Sequence, residues 1–204
     1  MGENRFYGRE LLPQLNYQLA TQIEARLVDQ STGLHVVFES RVIDWPASNP
    51  VEPITVARHD YERDGPEPGT PAEVVQHLNE SGWERFVWVP VGVGHGDRFR
   101  FTIRYAHELQ HYRQLLGSDS LSKARAFLSR VRAAGHRPAI KSEMFATEFD
   151  ADVVGFDVFE AIHGEAALRE LVESDAGDQK MRDFYDRVLR LRARFKAWQT
   201  TGTL

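Results

Sequence analysis

The chain has 204 residues, of which 42% are hydrophobic and 27% charged, and its net charge at pH 7 is −5. This size and composition suit one globular domain, and the negative charge gives no general attraction to nucleic acid or to an anionic membrane. Cysteine is absent, which excludes disulfides, thiolate zinc sites and cysteine nucleophiles.

The sequence shows no targeting or membrane signal. Its first residues lack the apolar segment of a signal peptide, and no stretch approaches the roughly 18 consecutive apolar residues of a membrane-spanning helix. We therefore expect a cytoplasmic protein without a membrane span and without a nucleic-acid partner.

The first hundred residues predict a helix followed by short strands. Apolar residues at helical spacing predict the helix within residues 10–28, with a strand at 22–29 as an alternative. Alternating apolar residues predict strands over 34–44 and 85–91, and the alternation resumes at 99–103. Pro90 suggests that the 85–91 strand is an edge strand or ends there.

The segments between these strands have different compositions. Residues 45–72 hold six of the nine prolines and predict a long loop. Residues 71–80 predict a short helix capped by Thr70, and the glycines at 92, 94 and 96 predict a turn around His95.

The second half of the chain predicts only helices. They cover approximately residues 104–117, 120–134, 139–164, 165–174 and 178–199. The last helix carries an apolar stripe from Met181 to Trp198 with alternating spacings of three and four residues. Such a stripe is either a face docked on the domain's own core or a homodimer seam.

A zinc-binding motif, His107-Glu108-Leu109-Gln110-His111, lies in the first of these helices. Residues four apart project from one helix face, so both imidazoles can bind a single Zn²⁺. Glu108 is turned roughly 100° away from His107, which suits a general base that takes a proton from water. By itself, the motif also fits a polar helix face with two incidental histidines.

A second motif in the 139–164 helix supplies the ligand that a catalytic zinc site still needs. Glu148 and Asp152 lie one helical turn apart, so Glu148 can bind the metal beside His107 and His111. Asp152 can then accept a hydrogen bond from the other ring nitrogen of a zinc-bound histidine. Glu143 is a competing ligand without the following Ala-Asp, and an acidic solvated helix face is the alternative without a metal.

The two motifs together resemble those of the gluzincin metallopeptidases. H-E-x-x-H followed by E-x-x-A-D is similar to the heat-shock and prenyl-protein processing membrane proteases and to their small soluble relatives, the minigluzincins. The resemblance covers approximately residues 98–163. It implies one zinc ion per chain, with Glu148 as the third ligand and Asp152 as a partner of the zinc site.

The chain departs from these families in two respects. It has no transmembrane helices, so the lipid-embedded substrates of the membrane proteases do not carry over. It has no third histidine in residues 112–118, which excludes the metzincin pattern.

Other side chains are candidates for supporting roles. Tyr112, His163 and Tyr185 are candidate stabilisers of the oxyanion that forms in a hydrolytic transition state. The strand at 85–91 is a candidate edge for pairing an extended peptide, with an interior strand as the alternative.

We therefore expect one domain over residues 1–204, with a mixed portion at 1–97 and a helical metal-binding portion at 98–204. The resemblance implies an α+β, zincin-like fold: a small mixed sheet and a predominantly helical C-terminal half with two metal-bearing helices. The expected function is a soluble zinc metallopeptidase that acts on a peptide or protein. The alternative is a zinc-containing regulatory or protein-interaction module of the same fold with little or no proteolytic activity.

Overall fold

The computed structural model describes residues 4–29, 33–38, 54–57, 85–89, 91–174 and 178–203. The chain divides into two compact units, Met1–Arg113 and Gln114–Leu204.

The first unit combines short strands with helices. Its strands are β1 (Arg5–Tyr7), β2 (His35–Phe38), β3 (Ile54–Ala57) and β4 (Arg85–Val89), and its helices are α1 (Gln14–Leu27), α2 (Val91–Gly94) and α3 (Arg98–Leu115), whose last two residues lie past the unit boundary. The strand order is β1-β2-β4-β3, with β3 antiparallel to β4 and the other pairs parallel.

β4 has a neighbouring strand on each side and ends at Val89, so of the two interpretations of Pro90 the edge strand is wrong and the strand end is confirmed. Val87 pairs with Val36 of β2 and with Thr55 of β3. An extended peptide therefore has no unpaired edge of β4 to bind, so this strand cannot have the suggested peptide-pairing role.

Two other predictions in this unit are corrected. Ile54–Ala57 is a strand within the predicted loop at 45–72, whereas the rest of that loop and the predicted helix at 71–80 lie outside the described residues. Residues 99–103 belong to α3, which begins where the Asp97 Oδ1 accepts hydrogen bonds from the Phe99 and Arg100 N–H groups at 2.9 and 3.1 Å. Three alternating residues are too few to distinguish a strand from a helix.

All the regular secondary structure among the described residues of the second unit is helical. Its helices are α4 (Asp119–Ala133), α5 (Lys141–Met144), α6 (Ala146–His163), α7 (Glu165–Ser174) and α8 (Gln179–Thr201). The long helix predicted over 139–164 is interrupted at Phe145, whose backbone is extended at φ −122° and ψ 127°. This interruption places Glu148 in the first turn of α6.

An aromatic core joins α4, α6 and α8. Its buried members are Ala124, Phe127, Leu128, Val131, Phe149, Val153, Leu191 and Phe195, with Trp198 packed against them. Phe127 lies 5.6 Å from Phe149 and 5.1 Å from Phe195 between ring centroids. The apolar stripe of α8 is therefore docked on the core of its own unit, and a homodimer through this helix stays a prediction.

The expected α+β class is wrong, because the protein is mostly helical. The described strands are only three to five residues long, whereas α3, α6 and α8 have 18, 18 and 23 residues. Of the three alternating runs, 34–44 and 85–91 each contain a short strand, whereas 99–103 lies in α3, and long helices account for most of the described residues. Within the described part of the chain, none of the helices combines the length and the apolar character needed to cross a membrane.

Candidate metal centre

The two histidines of the first motif converge on one face of α3. Their Nε2 atoms are 2.9 Å apart, and their ring planes meet at 83° with centroids 4.6 Å apart. On the opposite side of the helix lies a buried stripe formed by Phe101, Tyr105, Leu109 and Tyr112. Because this stripe forms the buried face of α3, the histidines lie on the more polar face of the helix.

Glu148 joins the two histidines. His107, His111 and Glu148 each offer one ligand atom, and these three atoms all lie within 4.8 Å of one another. All three residues are partly buried. A single ion at 2.0–2.2 Å from each donor requires donors about 3.3 Å apart. Small side-chain rotations satisfy this requirement, so the three residues can hold a metal ion.

Glu108 lies beside this group without belonging to it. Its Oε1 is 4.0 Å from the His107 Nε2, and its side chain is only 12% exposed. A carboxylate at this distance can reach a small molecule bound at the His107 ring nitrogen. Glu108 is not part of the group of three candidate ligands, and its role as a proton acceptor stays a prediction.

Asp152 lies buried one turn after Glu148 and is held by α5. The Ser142 Oγ donates a hydrogen bond to the Asp152 Oδ2, and both residues are almost fully buried. Ser142 therefore fixes the orientation of this carboxylate. The predicted hydrogen bond from a zinc-bound histidine to Asp152 stays a prediction.

Glu143, the competing ligand, is committed to a different structural role. Its carboxylate accepts hydrogen bonds from the Ala139 N–H at 2.6 Å and from Arg187 at 3.1 and 3.2 Å, and it lies 3.3 Å from the His136 Nε2. Burial raises the pKa of Glu143, but the Ala139 N–H, Arg187 and His136 together hold that pKa below its ordinary value. These contacts favour Glu148 as the ligand.

The three candidate oxyanion stabilisers differ in position. Tyr112 is buried on the α3 face opposite the histidines. His163 is fifteen residues after Glu148 on α6, which corresponds to about 22 Å along the helix axis. Both positions argue against a role in this site. Tyr185 is buried with its ring edge-on to Phe156, at 6.0 Å between centroids, and its role stays a prediction.

Gln114 is a residue of the site that the sequence reasoning missed. It lies on α3 three residues after His111, and its Nε2 donates to the Thr147 carbonyl and to the Asp150 Oδ2, both at 2.9 Å. Positions 107, 111 and 114 share one helix face, so the spacing was a usable signal. Its two acceptors, 33 and 36 residues away, were not predictable.

A second missed group supports the other face of α3. The Tyr105 O–H donates to the Glu24 Oε1 at 2.7 Å, and Arg9 forms an ion pair with the Glu24 Oε2. Burial raises the pKa of Glu24 to about 7, although Tyr105 and Arg9 each lower it. These contacts tie α3 to α1 behind the histidines.

Comparisons of this chain with protein-family models, with curated proteins and with solved structures found no match. We therefore infer its function from the arrangement of His107, His111, Glu148 and Glu108.

Proposed function

We propose that this chain is a zinc-dependent metallopeptidase of gluzincin type. His107, His111 and Glu148 hold the zinc ion, and Glu108 acts as the general base. The observation that carries the proposal is that donors from two separate motifs lie within 4.8 Å of one another. A polar face with incidental histidines gives no reason for a carboxylate from another helix to join them.

The donor set favours zinc in a hydrolytic site. Two histidines and one glutamate are a known ligand set of catalytic zinc, which takes three protein ligands and keeps one position open. When bound, zinc lowers the pKa of a water molecule and polarises the carbonyl group of a substrate. The half-buried surroundings of the three ligands limit solvation and strengthen such electrostatic effects.

Glu108 performs the proton transfers in this proposal. It accepts a proton from the attacking water, whose oxygen adds to the carbonyl carbon of the peptide bond. It then delivers this proton to the amide nitrogen as the carbon–nitrogen bond breaks, which releases an amine and a carboxylic acid. Its Oε1 lies 4.0 Å from the His107 Nε2, which supports this assignment.

The substrate in this proposal is a peptide or protein, and the cytoplasmic location and the single domain over residues 1–204 stay predictions. The described helices include no membrane span, so we propose no lipid-embedded substrate. A regulatory module that holds zinc without general proteolysis is the alternative.

A peptide-library digest tests the proposed activity. The purified chain, its chelator-treated form and the chelator-treated form with zinc restored are each incubated with a mixed peptide library, and products are read by mass spectrometry. We expect new amine and carboxyl termini in the first and third samples and none in the second. A zinc-loaded chain that leaves the library intact would favour the regulatory module instead.

A further inference from the structure

Gln114 connects the two helices that carry the proposed ligands. It lies in the last turn of α3, and Thr147, whose carbonyl it binds, directly precedes Glu148 in α6. The second acceptor, Asp150, is two residues after Glu148 and is almost fully buried. The Gln114 amide therefore binds α6 on both sides of the ligand position.

The side-chain amide of Gln114 has the number of donors that its two acceptors require. A glutamine Nε2 carries two N–H donors, and the two acceptors, a carbonyl and a carboxylate oxygen, use both. The bond to the Asp150 carboxylate is charge-assisted and partly buried, which makes it stronger than an ordinary amide hydrogen bond. Two bonds from one planar group fix an orientation that a single bond leaves free to rotate.

The position of Gln114 on α3 makes this orientation relevant to the histidines. Seven residues after His107 and three after His111, it projects from the same helix face, within about 20° and 60° of them. Gln114 therefore binds α6 from the same helix that carries both histidines.

We propose that Gln114 is a positioning residue that holds Glu148 at the correct distance from His107 and His111. This inference rests on the proposed metal centre. Gln114 does not touch the metal, and it acts by binding the backbone and side chain on either side of the third ligand. Partners of metal ligands typically contribute 10–100-fold in metal affinity.

Two substitutions of Gln114 distinguish a role in positioning Glu148 from a role in packing. Gln114→Met keeps a similar side-chain length but removes both donors. Gln114→Lys keeps N–H donors, on a side chain that is one bond longer and carries a positive charge. Gln18→Met, at an exposed position of α1, is the matched control for the loss of an amide far from the site.

Zinc affinity is measured by competition with a chromophoric chelator, and the absorption spectrum of the cobalt-substituted protein reports ligand geometry. We expect Gln114→Met to bind zinc about 10–100-fold more weakly than wild type, with an altered cobalt spectrum. We expect Gln18→Met to resemble wild type, and we expect Gln114→Lys to bind zinc more tightly than Gln114→Met because its N–H donors replace those of the amide. Gln114→Met should also unfold at a somewhat lower temperature in the metal-free form, because it loses two hydrogen bonds, so zinc affinity is compared at a temperature where all four proteins are folded.

The outcomes distinguish this inference from the proposed function. If the wild-type chain binds no zinc, the metal centre and the role of Gln114 both fail. If wild type binds zinc and Gln114→Met binds it equally well, only the role of Gln114 fails. An equal loss of affinity in Gln114→Met and Gln114→Lys would assign the effect to packing and would also overturn the inference.

Discussion

The Nε2 atoms of His107 and His111 lie 2.9 Å apart on α3, so both rings direct the same nitrogen to one point. Each ring therefore keeps its Nδ1 for contacts with the surrounding protein, as metal-binding histidines commonly do. Glu148 supplies the third donor from the first turn of α6. The donors of two short sequence motifs therefore support a single proposed metal site.

Glu108→Gln should abolish turnover without releasing zinc. The amide has the size of the carboxylate but accepts no proton at neutral pH, so catalysis should fall by about 10²–10⁴-fold. Cleavage rates and zinc content are measured together on the same preparations, with Glu170→Gln, at an exposed position of α7, as the control. Undiminished hydrolysis in Glu108→Gln would show that another group is the base.

The side chains that share a helix face were predictable in both motifs, because helix geometry alone determines them. His107 and His111, like Glu148 and Asp152, are four residues apart, and each pair lies on a described helix. The interruption at Phe145 did not disturb the second pair, since α6 begins one residue later.

Contacts between distant residues could not be predicted in this way. Gln114 binds residues 33 and 36 positions away, and Tyr105 binds Glu24 at a separation of 81. The interior position of β4 depends on pairing with both β2 and β3. Local spacing contains no information about such partners, which is also why the balance of helix and sheet was misjudged.

Glu143→Gln should weaken folding while leaving zinc binding intact. The substitution removes the charge that Arg187 and the Ala139 N–H stabilise, at a cost of about 1–3 kcal/mol at neutral pH. The cost stays modest because Arg187 is 38% exposed and remains hydrated. Urea unfolding gives the stability, and zinc titration gives the affinity.

The pH dependence of this effect has a definite sign. The pKa of Glu143 is lowered on folding, so its contribution is present above its ordinary pKa of 4.5 and is lost as the pH falls through the folded value. The stability difference between wild type and Glu143→Gln should therefore shrink on acidification. Loss of zinc binding in Glu143→Gln at neutral pH would make Glu143 a ligand after all.

Glu24 should make the stability of the first unit depend on pH with the opposite sign. Burial raises its pKa from 4.5 to about 7 despite Tyr105 and Arg9, so the folded state retains a proton that the unfolded state releases. Stability should fall by on the order of 3 kcal/mol as the pH rises from about 4.5 to about 7. Glu24→Gln should remove this slope in urea unfolding series. An unchanged slope would mean that Glu24 is ionised in the fold.

Phe127→Ala should destabilise the second unit by about 3–5 kcal/mol. Phe127 is fully buried against Phe149, Phe195 and Trp198, so its removal leaves a cavity in the aromatic core. Leu15→Ala, at a position that is 46% exposed, should cost far less. Equal effects of the two substitutions in chemical denaturation would contradict this description of the core.

Metal content is the most direct test of the central claim that His107, His111 and Glu148 hold one zinc ion. Elemental mass spectrometry of the purified chain should find about one zinc per molecule, and the His107→Ala, His111→Ala and Glu148→Ala variants should each lose it. Glu170→Ala should keep it. A wild-type chain with no zinc, or with iron in its place, would contradict the account, as would a Glu148→Ala variant that binds zinc as tightly as wild type.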